Sequence, residues 1–438
     1  MKKVFFCFLF VALMVNAIYG DDSKSDLNLD LNLIDNFYIY DGSLDYIPMQ
    51  QITENYSSFY SIFNDLYFDS FSFNDNAFHD SLVLLPNILV TYLFFTPFTH
   101  EEAHRSILTN KGIASISQPI CNDKGAAYVK GVSDSTLQNL RDTDFASFLR
   151  LHTAGIESDY FLMQKDFENL VFSKSDTRDF KNWVRNSGID YMSRLISVFS
   201  YEFILADMYN PPKNKLLEEE ENEFERDIVG HDVYGFIHHI FNPTAEYGRY
   251  WDPCDFSSEE IKFGKRVGFL SLLNLPIISP MLFNKFYFSI NENHIISFNT
   301  GYALAPFGDF IDENIYYGYF GAENPIRLSF YARQYGNKNN WFPAFGLKLL
   351  QYSPVDWLSV TAAGHIWSQP KNLSFTESKG ELGGAFEMEV MFFPKQNKNA
   401  LGDLGFFLGF LTKSKGFMPE IESHDFHWRI STGLSLRK

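Results

Sequence analysis

From Phe286 to the C-terminus the chain alternates apolar and polar residues with a period of two. "IRLSFYAR" sets Ile326, Leu328, Phe330 and Ala332 against Arg327, Ser329, Tyr331 and Arg333. "GAFEMEVMFF" sets Phe386, Met388, Val390 and Phe392 against Glu387 and Glu389. "WRISTGLSL" sets Trp428, Ile430, Leu434 and Leu436 against Arg429, Ser431, Gly433 and Ser435. Successive side chains of a strand point to opposite faces, so this pattern restricts the region to strands with one apolar and one polar face. About nine such segments follow one another, most near the length of a tilted membrane strand. They predict an antiparallel β-barrel over residues 283–438. With the apolar face outward it is a transmembrane barrel; with the faces reversed it is a soluble one.

The N-terminus favours the membrane version. "MKKVFFCFLFVALMVNAIYG" begins with Lys2 and Lys3, runs apolar from Val4 to Val15, and is too short to span a bilayer. It reads as a signal peptide over residues 1–20, and the chain as exported. Aromatic residues make up 18% of the sequence, with 47 Phe and 24 Tyr. Such a load suits lipid and its interfaces as well as a core. The ending "LSLRK" lacks the aromatic last residue typical of bacterial outer-membrane barrels. Loss of the signal moves the net charge from −18 to −20. A chain this acidic excludes electrostatic binding of nucleic acid. The expected partner is outer-membrane lipid, and the expected location the bacterial outer membrane.

Ahead of the strands the pattern is mainly helical. Residues 21–79 form an Asp-, Asn- and aromatic-rich lead-in, expected to be partly ordered or to lie across another part of the protein. Residues 80–282 carry helix-period segments, among them Asp142–Phe172 and Thr177–Tyr209. Leu82 to Phe98 is apolar but interrupted by Pro86, Asn87 and Pro97; it reads as a buried helix beneath a site, with a membrane span as the alternative. The expected class is α+β, a helical domain followed by the barrel. Cys7 leaves with the signal. Cys121 and Cys254 then remain, either as a disulfide or as two separate thiols.

One motif carries chemistry. "FFTPFTHEEAHRSIL" contains His100-Glu101-Glu102-Ala103-His104. Residues i and i+4 share a helix face, so His100 and His104 could offer two imidazoles to one cation, with Glu101 beside a water on it. Thr96-Pro97 reads as the helix start, putting the motif in its first turns. The stretch resembles the active-site helix of the zincin superfamily of metallopeptidases. Glu102 and Arg105 depart from that helix, where uncharged residues are usual. The resemblance implies Zn²⁺ on His100 and His104, Glu101 as general base, and a third ligand. In gluzincins that ligand is a Glu on a later helix, for which Glu157 in "LHTAGIESDYF" is the candidate, with Asp159 and His152 as alternatives. His231, His238 and His239 form a second cluster, but adjacent histidines point to different sides of a helix.

The sequence thus leads to an exported zinc-dependent hydrolase, a metallopeptidase acting on a peptide or protein and held at the outer membrane by a barrel. Its rival is a non-enzymatic outer-membrane barrel with a helical plug or periplasmic domain and an incidental HEEAH.

Overall fold

The computed structural model describes residues 33–71, 77–119, 126–175, 183–198, 201–213, 220–278, 285–321, 324–394 and 402–437. The signal-peptide reading and Cys121 lie outside them, so the disulfide stays an expectation. Cys254 is exposed at a short 3₁₀ turn, Pro253–Asp255.

The period-two segments are strands. In chain order the strands are β1 (Ile34–Asp41), β2 (Ile116–Gln118), β3 (Tyr128–Lys130), β4 (Phe288–Ser289), β5 (His294–Ala305), β6 (Gly308–Tyr319), β7 (Ile326–Gly336), β8 (Trp341–Val355), β9 (Leu358–Pro370), β10 (Gly380–Phe392), β11 (Asp403–Lys413) and β12 (His427–Arg437). β2 and β3 make a small hairpin. The other ten form one antiparallel sheet in the order β1-β12-β11-β10-β9-β8-β7-β6-β5-β4. Tight connections fix the register. Ala305 pairs with Gly308 across Pro306-Phe307. Gly308 sits at φ 149°, and a Cβ there would lie 2.1 Å from the carbonyl oxygen of Gly336.

The sheet is not closed into a barrel, which corrects the expected architecture. Its edges β1 and β4 do not pair with each other among the described residues. Helical structure packs beside each end instead, on the edge strand β1 and on β5, the neighbour of the edge strand β4. Helix α1 (Met49–Ser70) packs on β1, and the 3₁₀ helix Ser271–Ile278 packs on β5. There the Asn274 side chain takes the Tyr302 N–H at 2.8 Å and donates to the Tyr302 carbonyl at 3.1 Å. The lead-in is therefore structural, supplying both α1 and the strand that flanks β12.

The remaining helices are α2 (Ala77–Val90), α3 (Thr96–Asn110), α4 (Asp134–Thr143), α5 (Phe145–Phe172), α6 (Ile189–Val198), α7 (Tyr201–Tyr209), α8 (Asp232–Phe241) and α9 (Ser258–Leu270). α5 is buried along most of its 28 residues. Asp144 caps it by accepting from the Ser147 N–H. Its Tyr160 and Phe167 pack with Phe310, Phe286 and Tyr316, so one core runs from helices into sheet. A second cluster, including Ala103, Ile107, Leu137, Phe148 and Ala154, clamps α3 and α4 to α5.

The sheet's two faces are inverted relative to a soluble protein. Outward residues such as Phe298, Phe345, Ile366, Phe406, Leu408 and Trp428 are exposed. Inward ones include Asn299, Asp312, Arg333, Lys413 and Arg429, all buried. Several inward groups pair: Arg333 with Asp312 at 2.6 Å, Lys348 with Glu168 of α5 at 2.9 Å, and Tyr160 with Asp312 at 3.0 Å.

Candidate metal centre

α3 opens at Thr96 with Pro97 in its first turn, as expected, but this is not where the helical rod begins. Its N-cap residue, Phe95, is itself helical, and a π turn, Thr91–Phe95, joins α2 to α3 in one rod. Pro97 brings no N–H and its ring crowds the preceding turn; the wider π turn, with the Thr96 N–H on the Thr91 carbonyl, relieves that clash. The motif thus lies on a continuous helix. The rod is also not the buried helix expected of Leu82–Phe98: one third of its most apolar window is buried.

His100 and His104 share a face of this rod, with ring centroids 5.0 Å apart. Their Nδ1 atoms are tied back. His104 Nδ1 donates to the Leu151 carbonyl at 2.6 Å, and His100 Nδ1 donates to Asp159 Oδ2 at 2.8 Å. Both Nε2 atoms therefore face Asp232, which lies 3.0 Å from His100 and 3.6 Å from His104. One ligand atom from each of His100, His104 and Asp232 lies within 4.8 Å of the others.

α5 and α8 complete the centre. Gly155 of α5 faces both imidazoles, and a Cβ there would sit 2.3 Å from His100 Nε2 and 2.5 Å from His104 Nε2. Asp232 is the first residue of α8, where a helix N-terminus favours an anion. Burial would raise its pKa, but the charges and hydrogen bonds of His104 and His100 outweigh it and hold the carboxyl well below its usual range. Asp159 behaves alike: against its burial, His100 and Arg194 keep it below the usual range. Arg194 reaches Asp159 at 2.7 Å, and Ser197 donates to it too. Nearby Asp227 is pushed up to about 8, chiefly by burial and then by Glu101 and Asp232.

These residues fit a divalent cation. Against their burial, Asp159 and Asp232 raise the pKa of His100, and Asp232 that of His104, so without an ion protonated Nε2 atoms face Asp232. Once those protons leave, with each Nδ1–H committed, two Nε2 lone pairs and a carboxylate would converge on one cation. A ligand histidine whose other nitrogen is held by a carboxylate or carbonyl is the usual support of a metal site. Two imidazoles and one carboxylate match the donor set of a catalytic zinc with an open position.

Glu157 is not brought to the histidines, which corrects its reading as third ligand. It pairs with buried Arg150 at 2.6 Å and accepts the Glu420 N–H at 2.8 Å. The reason is helical geometry: two residues from Asp159 on α5, it points about 200° away. The carboxylate that does face both Nε2 atoms is that of Asp232, 132 residues after His100. Asp159, one of the alternatives, supports His100 rather than completing the centre. His152 is buried between Phe148 and His239, and burial drives its pKa down to about 3. Glu101 flanks the centre without belonging to the converging group. Glu102 and Arg105, the departures from the zincin pattern, bind each other at 2.9 Å, and Ser117 donates to Glu102. The second histidine cluster is structural. His231 stacks on Tyr234, His238 bonds Glu260 and stacks on Trp251, and His239 donates to the Gly248 carbonyl.

Comparison with protein-family models, with curated proteins and with solved structures finds no match.

Proposed function

We propose that this protein is a zinc-dependent hydrolase of peptide bonds, held at the outer membrane by the apolar outer face of its sheet. The observation that carries the reading is the convergence of His100, His104 and Asp232, whose charges also reach Glu101, the residue after His100. His100, His104 and Asp232 would hold the ion. When bound, zinc supplies Lewis-acid chemistry toward water and a peptide carbonyl. Glu101 takes the proton of the attacking water on its carboxylate and passes it to the leaving amine. Asp159 and the Leu151 carbonyl keep both imidazoles in the Nδ1–H tautomer. A non-enzymatic membrane protein with a helical plug is the second reading, supported by the packing of α5 against β5 and β6 on the inner side of the sheet.

Three variants test the proposal. The parent should contain about one zinc per chain by elemental analysis and cleave a peptide library. Glu101→Gln should keep the metal and lose hydrolysis by a factor on the order of 10² or more. His104→Ala and Asp232→Ala should lose the metal. A parent that binds no zinc leaves the plug reading standing. Loss of zinc from Glu101→Gln would make Glu101 a ligand and the mechanism wrong.

A further inference from the structure

The rod of α2, the π turn and α3 has inverted polarity. Every exposed residue from position 78 to position 98 is apolar: Phe78, Leu82, Leu85, Leu89, Phe94 and Phe98, with Pro86 beside them. The spacing follows one helix face, and the single step of five falls at the π turn, Thr91–Phe95, which absorbs the extra residue. The opposite face buries Asp80, Asn87, Thr91, Thr96 and Thr99 beside Val83 and Leu84. These polar groups bond inward. Asn87 donates to Asn64 at 3.1 Å, Thr91 meets the Tyr60 hydroxyl at 3.2 Å, and Thr96 meets Ser193 at 2.7 Å.

A helix in water turns its apolar face to the core and its polar face to solvent. This one does the reverse, as a helix does when its surroundings are hydrocarbon. Twenty steps from Phe78 to Phe98, at 1.5 Å each, span about 30 Å, the thickness of a bilayer's hydrocarbon core. Residues 81–99 of that length carry no Asp, Glu, Lys, Arg or His; His79 and Asp80 stand in its first turn, and His100, Glu101 and Glu102 follow its far end. The sheet, whose outer face has the same inverted polarity, is open between β1 and β4. The rod packs on α1, which in turn packs on β1.

We infer that the α2–α3 rod is a lipid-facing wall of the molecule, contacting bilayer hydrocarbon through the Phe78–Phe98 stripe and placing the His100–His104–Asp232 centre at the bilayer's polar border. The inference rests on the membrane reading proposed above. It adds that helix as well as sheet meets lipid.

The test uses the full chain, reconstituted into phosphatidylcholine–phosphatidylethanolamine vesicles. Cysteines are replaced by serine, and single nitroxide labels are placed through Leu82→Cys, Leu85→Cys and Leu89→Cys on the stripe. Leu408→Cys on the sheet's outer face and Asn222→Cys in an exposed loop serve as references. Collision with apolar oxygen and with a water-soluble nickel chelate is read by power saturation. The expected oxygen-to-nickel ratio on the stripe equals that at position 408 and exceeds that at position 222 several-fold. A stripe ratio at the level of position 222, with position 408 still high, overturns the inference and leaves the membrane reading intact. A stripe closed to both reagents means a protein covers it, and also overturns the inference. A low ratio at position 408 as well brings down the membrane reading and the inference together.

Discussion

Gly155 shows how little room the centre has. A methyl group there would press on both Nε2 atoms at 2.3 and 2.5 Å. Gly155→Ala must therefore displace the histidines or the helix, at about 1–3 kcal/mol of overpacking. The expected result is a chain that still folds, melts earlier and holds far less than one zinc. A Gly155→Ala protein with the parent's metal content would show that the space over Gly155 is not the metal's. Glu157 gives the complementary case. Glu157→Gln leaves the Arg150 guanidinium buried without its anion, for a loss on the order of 3 kcal/mol, with zinc content unchanged. Zinc loss without a change in unfolding would restore Glu157 as a ligand. His100 and His104 were legible because four residues of helix set them on one face. Asp232 was not, because only the fold selects it from the many acids between Glu218 and Asp232. Asp159 and Glu157 were separable only once the direction of α5 was known.

The elements divide in the same way. The strands were readable because a period of two is local. Closure was not, because it depends on what covers the two edges. "IDNFYIYD" lies in a stretch of irregular alternation, and its partner β12 is at the far end of the chain. The π turn was hidden behind Pro97, which reads as a helix start. α8 carries a different consequence. His239, on α8, and His152, on α5 beside it, are buried without a charge partner. Burial, reinforced by His152 and His238, lowers the pKa of His239 to about 2. An unfolded chain protonates histidine near pH 6.5. Between that value and about 2 the unfolded state binds a proton that the folded state refuses. The stabilising contribution of neutral His239 is thus present above pH 6.5 and lost as pH falls below it, by about 1.4 kcal/mol per pH unit. His239→Phe keeps the ring between Phe148 and Tyr247, and Gly248 keeps Trp251 as a donor at 2.8 Å. Relative to the parent, this variant should gain about 2 kcal/mol between pH 7 and pH 5, measured by denaturant unfolding. Equal pH dependence in the two proteins would mean that His239 takes up its proton as readily in the fold as in the unfolded chain.

At the scale of the molecule, polarity is turned inside out. Ion pairs such as Arg333–Asp312 and Lys348–Glu168 lie on the inner side of the sheet beside an apolar core, while the sheet's outer face and the outer face of the α2–α3 rod expose phenylalanines and leucines. In water this arrangement leaves apolar side chains exposed along a whole sheet face and one helix face, the mark of a surface that meets a membrane or a partner. In lipid it places each group in its preferred medium, since buried polar groups pair with one another and apolar ones need no partner. The two media make opposite predictions for one substitution. Leu408 of β11 is exposed at mid-strand, between Phe406 and Phe410 on the same face. If that face meets hydrocarbon, Leu408→Arg costs about 2–4 kcal/mol at the bilayer midplane and lowers the fraction of chains that fold into vesicles. If it meets water, the same change stays within about 0.5 kcal/mol and improves solubility without detergent. Folding yield into vesicles, set against recovery in buffer alone, reads the difference directly. An arginine accepted at position 408 with no loss in vesicles, in a parent that stays dispersed without detergent, would leave the inverted polarity to be explained by a protein partner covering the whole outer face.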